Sequence, residues 1–420
     1  MSALATYETI EPAERSAAVN RLIKVFALGL GVALSGYVLS EPSPYELVMT
    51  PLIVIWALFG LRLSRTNTPL LMLLVLFNVG FMISMTQLSD LKDTPLYAAV
   101  GFFLAITSVF YAAVIERDMS LLPVMYSAYT IAAIFTSLLG IAGYFHLFPG
   151  ASYFTLYDRA RGGFKDPNVF GPYLMLPAAW LLYGVLRGKA ISMLPRLIGL
   201  MIVSIGAFLS FSRAAWGMLI LVMLLVTIFS FVASNSNRIR LRIVLLSGAV
   251  FMLVALVVIV ALQFPEVADL FSKRAKLVQD YDGARLGRFA RYWFGLLIAT
   301  EHPLGLGPLV FAGMFGEDTH NIWLKAALDY SWLGFIAYVT MSILTIAMGA
   351  RMLFRDRPWQ PFLICAYATY LAHVVIGNII STDHWRHFYM LVGIIWGCQG
   401  LEFRHGLKAF PFSGTSATQI

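Results

Sequence analysis

Twelve mostly apolar stretches, with few charges inside them, run through this 420-residue chain. Crossing a bilayer takes about 20 apolar residues per helix. On that criterion the spans fall near 22–39, 47–61, 70–88, 96–115, 121–145 and 168–187, then 195–211, 214–232, 243–263, 322–350, 360–380 and 388–402. Charged residues make up 12% of the chain against about 25% in soluble domains, and mean hydropathy is +0.78. The expected fold is therefore an all-α polytopic membrane protein of about twelve transmembrane helices in one membrane domain. The second and last spans are short, which leaves them tilted, buried or re-entrant.

Charge sets the orientation, because Lys and Arg accumulate in cytoplasmic loops. With the N-terminus inside, the inner loops hold Arg62 and Arg65, Arg187, Lys189 and Arg196, Arg238, Arg240 and Arg242, and Arg351, Arg355 and Arg357. Of 30 Lys and Arg, 17 fall inside and 13 outside on this reading. The chain then divides into a cytoplasmic tail (1–20), helices one to nine (21–263), a long outer loop (264–320), helices ten to twelve (321–403) and a second cytoplasmic tail (404–420). The first twenty residues hold Glu8, Glu11, Glu14 and Arg15 without a signal-peptide cleavage pattern, so the first helix is expected to be retained. Cys365 and Cys398 lie inside apolar spans and read as small buried hydrophobes. The net charge of +8 sits largely in short loops and gives no argument for nucleic acid.

Most of the outward positive charge is concentrated in three places, against the usual bias. Asp158 to Asn168 carries Arg159, Arg161, Lys165 and Asp166 into the sixth span; Ser210 to Arg213 forms the turn between the seventh and eighth. The long loop carries Arg285, Arg288 and Arg291 beside Tyr292 and Trp293, a Pro303-x-Gly305-x-Gly307 turn, and His320-Asn321 at its end. Arginine suits an anionic head group, since its planar fork donates two parallel hydrogen bonds and stays charged. Two or three arginines meeting a diphosphate would stabilise it as a leaving group without a metal ion. Arg285, Arg288 and Arg291 share a face if this stretch is helical, which also describes a helix lying on lipid head groups.

A neutral imidazole at His320 can act as a general base at pH 7, with Glu317 and Asp318 beside it to orient it. A histidine at a helix entrance also serves as a cap or interface residue, and His302, His384 and His387 are rivals on the same side. His384-x-x-His387 with Asp383 has a ligand-like spacing but lacks a companion cluster, so no metal is expected. Asp166-Pro167-Asn168 reads first as a helix start, its polar groups capping the helix or meeting sugar hydroxyls. His373 and Asn378 lie within the eleventh span, where His373 is expected to be neutral and hydrogen-bonded between helices.

The order Arg-Gly-Gly-Phe-x-Asp-Pro-Asn (161–168), Phe-Ser-Arg (211–213), Gly-Arg-x-x-x-x-Trp (287–293), Pro-x-Gly-x-Gly (303–307) and His-Asn-x-x-Leu (320–324) resembles the O-antigen ligase/polymerase superfamily over about residues 150–335. The resemblance implies a GT-C-like glycosyltransferase of the bacterial inner membrane. It would need no cofactor and would use glycans on undecaprenyl diphosphate at the periplasmic face. Carried over by motif, Arg213 and Arg288 would bind the diphosphate, and His320 would activate the acceptor hydroxyl or position the reacting groups. Arg161, Asp166, Asn168, Arg285, Arg291, Trp293 and Asn321 are then candidates for holding substrate. The Arg-Gly-Gly-Phe-Lys-Asp-Pro-Asn form is similar to exopolysaccharide and capsule polymerases, which join repeat units, sometimes with a chain-length regulator as partner. An O-antigen ligase, passing the glycan to lipid A core, is the close alternative.

A flippase or secondary transporter is the rival from another class. It would place polar groups and broken helices near the bilayer midplane, whereas the charges here gather at the outer helix ends. A purely structural membrane protein would leave the outward basic clusters unexplained.

Overall fold

A computed structural model describes residues 12–276 and 287–409. The chain is mostly helical, at 75%. Its first half holds α1 (Pro12–Leu34), α2 (Pro44–Leu58), α3 (Thr68–Met85), α4 (Thr94–Arg117), α5 (Leu121–Tyr144), α6 (Pro167–Tyr173), α7 (Met175–Arg187), α8 (Met193–Leu209) and α9 (Arg213–Val232). There follow α10 (Asn237–Ala261), α11 (Pro265–Arg274), α12 (Arg288–Glu301), α13 (Val310–Phe315), α14 (Ile322–Asp329), α15 (Ser331–Met352), α16 (Gln360–Ile376) and α17 (Arg386–Ala409).

Among the described residues eight helices are long and apolar enough to cross a membrane: α3, α4, α5, α6 continued by α7, α8, α9, α10 and α15. The second and eleventh expected spans correspond to shorter apolar helices of 15 and 17 residues, α2 and α16. The first overlaps α1 and runs past its end at Leu34, and the last falls within α17. α10 shows why so apolar a helix needs lipid: only 17% of its most apolar window is buried against protein, and its outward face is Leu, Ile, Val and Met. In water that surface would be costly, and in hydrocarbon it is the solvated state.

Two spans differ from the expected continuous helices. The span at 168–187 is divided at Leu174, between Pro172 and Pro177, each of which removes a ladder donor. The span at 322–350 is two helices, α14 and α15, with Ser331 held at a left-handed φ of 59° between them. α15 crosses alongside α3 because Gly80 and Gly334 remove side chains from the contact; a Cβ at Gly80 would meet the Tyr330 carbonyl and the Gly334 backbone. α17 packs along α4 and α1 along α5, which closes the bundle.

The loops sort by end. At one end the buried Glu116 accepts from Ser64 Oγ (2.6 Å), Asn67 Nδ2 (2.7 Å) and Arg404 Nε (3.1 Å), while Glu402 pairs with Arg355 (2.6 Å) and Arg357 (2.9 Å). These are loops assigned to the inner side by charge. At the other end Val38 N donates to Gly163 O (2.6 Å), Lys165 meets Glu41 (3.5 Å), and Arg386 Nε meets Glu46 (2.6 Å). The described residues of the long stretch after α10 include α11, α12 and α13, and Lys276 and Tyr292 bond Arg213 and Asn378 at this second end.

Candidate functional site

The expected site residues gather in two hydrogen-bonded groups. In the first, a tight hairpin pairs Thr155–Leu156 with Arg159–Ala160, turned by Tyr157 and Asp158 at φ of 51° and 57°. The turn aims Arg159 inward. It is 6% exposed, donates Nε to Ser210 O (2.7 Å) and donates Nη2 to Asn168 Oδ1 (2.8 Å). Arg159 thus latches the 158–168 segment to the turn that precedes α9. Asp166 is extended and accepts from Asn168 N (2.8 Å), capping α6 ahead of Pro167. Asp166 and Asn168 are therefore engaged in building this corner. Arg161 folds over Tyr153, donating to its carbonyl from Nη2 (2.8 Å) with the guanidinium 5.6 Å from the ring centre.

Phe211 at φ 45° turns the chain sharply, and Ser212 caps α9 by accepting from Ala215 N. Arg213 is consequently the first residue of α9, half-buried, where the helix N-terminus adds partial positive charge to its own. Its Nη1 donates to Lys276 O (2.9 Å). Residues 277–286 join Lys276 to α12, and Arg285 lies there, outside the described residues.

The second group is built on α12 and the segment before α14. Arg288 is the first residue of α12, one helical turn ahead of Arg291 and Tyr292. Arg291 is 3% exposed, and its Nη1 meets Glu317 Oε2 at 2.6 Å. The same Oε2 lies 3.7 Å from His320 Nε2. Glu317 therefore bridges a buried guanidinium and the candidate base. The Tyr292 hydroxyl lies 3.2 Å from His320 O and 3.0 Å from Asn378 O, holding the backbone beneath the imidazole. Asn321 caps α14, with Oδ1 accepting from Trp323 N (3.0 Å) and Leu324 N (3.1 Å) and Nδ2 donating to Asn378 O (3.2 Å). His320 itself sits at φ 50°, an unfavourable conformation for a non-glycine residue that persists where its surroundings over-determine it. Trp293 is turned away and 60% exposed.

The Pro303-x-Gly305-x-Gly307 turn seats this stretch on the bundle. Both glycines have left-handed φ, 90° and 108°, which lets Leu306 N reach Leu328 O (2.8 Å) and Gly307 N reach Ser84 Oγ (3.1 Å). Its role is scaffolding.

Below His320 lies a charge cluster absent from the expected site. Lys325 Nζ, on α14, lies 2.9 Å from Asp318, 3.7 Å from Asp383 and 3.8 Å from Asp329, and 5.4 Å from the Tyr97 ring centre. Asp383 Oδ2 also accepts from the Tyr97 hydroxyl (2.7 Å) and the Tyr330 hydroxyl (2.9 Å). Burial would raise the Asp383 carboxyl, but Lys325 and the His384 and Tyr97 hydrogen bonds outweigh it and hold it well below the usual range. The signal was in the sequence: Lys325 and Asp329 interrupt an apolar segment, and ionisable groups there are functional candidates.

The rival histidines are differently engaged. His384 sets Nδ1 3.0 Å from Asp383 and Nε2 3.1 Å from Tyr97 O, leaving neither nitrogen for a metal shared with His387. His302 is the exposed C-cap of α12. His373 bonds the Thr369 carbonyl of its own helix (2.8 Å), rather than a neighbouring helix as expected.

No curated protein matches the chain. Residues 198–339 match the family model described as O-antigen ligase. The match takes in Arg213, Arg288, Arg291, Glu317 and His320, and begins after the Arg161–Asn168 segment. That stretch, about a third of the chain in a polytopic helical bundle, is therefore similar to the O-antigen ligase/polymerase superfamily.

Proposed function

We propose that this protein is an inverting, metal-independent glycosyltransferase of the bacterial inner membrane, with both termini cytoplasmic and its site facing the periplasm. Its donor is a glycan on undecaprenyl diphosphate, and its reaction is the joining of repeat units of a surface polysaccharide. The observation that carries this reading is the Arg291–Glu317–His320 grouping at the entrance to α14, inside the family match. An acceptor hydroxyl loses its proton to His320 as its oxygen attacks the anomeric carbon. The bond from that carbon to the diphosphate oxygen breaks, and the electron pair leaves on the diphosphate. Glu317 stabilises the imidazolium so formed, as a carboxylate beside a catalytic histidine does. Arg213 and Arg288 neutralise the leaving diphosphate. Arg161, Arg285 and Asn321 extend the donor site.

The polymerase assignment rests on the Arg-Gly-Gly-Phe-Lys-Asp-Pro-Asn form of 161–168. The purified protein, given undecaprenyl-diphosphate oligosaccharide and EDTA, is expected to produce a ladder of repeat units on a gel. Product only when lipid A core is supplied would make it a ligase, and no product with either acceptor would favour a lipid-linked glycan transporter. In the same assay Arg213→Lys is expected to lose about tenfold or more in rate, since Lys keeps the charge but loses the bidentate fork. Wild-type turnover in that variant would remove Arg213 from diphosphate recognition.

A further inference from the structure

His320 occupies a conformation that an isolated segment would leave, so something must hold it there. On its C-terminal side the cap formed by Asn321 fixes the chain to α14. On its N-terminal side the fixed point is Asp318. Oδ1 of Asp318 accepts from Thr319 N (2.7 Å), and Oδ2 receives Lys325 Nζ (2.9 Å) and Ser381 Oγ (3.2 Å). Lys325 is 5% exposed, and the Asp383 carboxylate behind it is itself held by two tyrosine hydroxyls. The ammonium is therefore immobile, anchored on the bundle side and reaching toward the His320 segment with its best hydrogen bond.

We infer that Lys325 is a positioning residue: through Asp318 it clamps the Glu317–His320 segment so that the imidazole and the Glu317 carboxylate meet substrate in a fixed geometry. Lys325 touches no reacting atom in this scheme. Its charge is used where a neutral side chain would not suffice, because an apolar replacement leaves the buried Asp383 and the part-buried Asp318 without their cation. The inference rests on the glycosyltransferase reading for its consequence in catalysis, but its structural content is independent of it.

The test uses the full chain in detergent, comparing wild type with Lys325→Met and with Asp318→Asn. The second variant cuts the same strut from the more exposed side and guards against misfolding of the first. Amide hydrogen exchange across 317–321 is expected to rise by about tenfold or more in both variants, with α4 and α15 unchanged. In the transfer assay kcat is expected to fall by about tenfold or more, while KM for the lipid-linked donor stays within about twofold. Unchanged exchange at 317–321 in Asp318→Asn overturns the inference. So does a lowered melting temperature accompanied by wild-type kcat in the folded fraction, which would make the cluster merely structural. Raised exchange in the variants, with no transfer by the wild type, would uphold the clamp and overturn only the functional reading.

Discussion

Replacing His320 with Ala is expected to abolish glycan transfer while leaving the protein folded. The imidazole is one-third exposed at the mouth of α14, so its loss is expected to remove chemistry more than stability. General-base catalysis by a positioned side chain contributes about 10²- to 10⁴-fold, and the variant's rate should fall by that factor. Initial rates on the lipid-linked donor would measure it, with size-exclusion profile and melting temperature as the folding control. The effect should fall on kcat, since in the proposed reaction Arg213 and Arg288, not His320, hold the diphosphate. Near-normal transfer by a well-folded His320→Ala would end its role as base. Attention would then pass to Glu317, whose carboxylate lies at the same place.

Much of this architecture was legible because hydrocarbon imposes so simple a demand on sequence. Each of the eight long apolar helices coincides with a span read from composition alone. The interruptions were not legible in that way. Hydropathy is blind to the missing donor of Pro172, and to the break at Tyr330 and Ser331. Among the site residues, those at helix starts were the readable ones: Arg213 and Asn321 stand where capping chemistry places them. The face shared by residues three apart led to Arg291, now seen paired with Glu317. Trp293, two residues on, points elsewhere because each helical residue turns by about 100°. The Lys325 cluster joins residues from three separate stretches, around Tyr97, Asp318 to Tyr330, and Ser381 to His384, and no local pattern announces such a meeting. What local reading did offer was the presence of Lys325 and Asp329 in an otherwise apolar run.

The largest loss of stability is expected from Arg386→Met. Arg386 opens α17 and Glu46 lies in the first turn of α2, 340 residues away in sequence, yet Nε and Oε1 are 2.6 Å apart and both side chains are 9% exposed. Glu46 further accepts from the Ser43 backbone and hydroxyl, and Arg386 Nη2 approaches Glu41 at 3.8 Å. Removing one member of a buried pair strands the other, at about 3–5 kcal/mol, whereas removing both costs much less. Glu46→Gln combined with Arg386→Met should therefore recover a substantial part of the loss, and thermal unfolding in detergent across this double-mutant cycle would read it. The pair also has a bearing on the site. Glu41 reaches Lys165 (3.5 Å), so the junction of α2 and α17 ties the Arg161–Asn168 corner to the loop that carries Asp383. Since Arg386 touches none of the proposed reacting groups, the fraction of Arg386→Met that remains folded should keep turnover within about threefold. A melting temperature equal to wild type would mean that Glu46 is satisfied by Ser43 alone, and the two halves of the outer face would then be joined by packing rather than by charge.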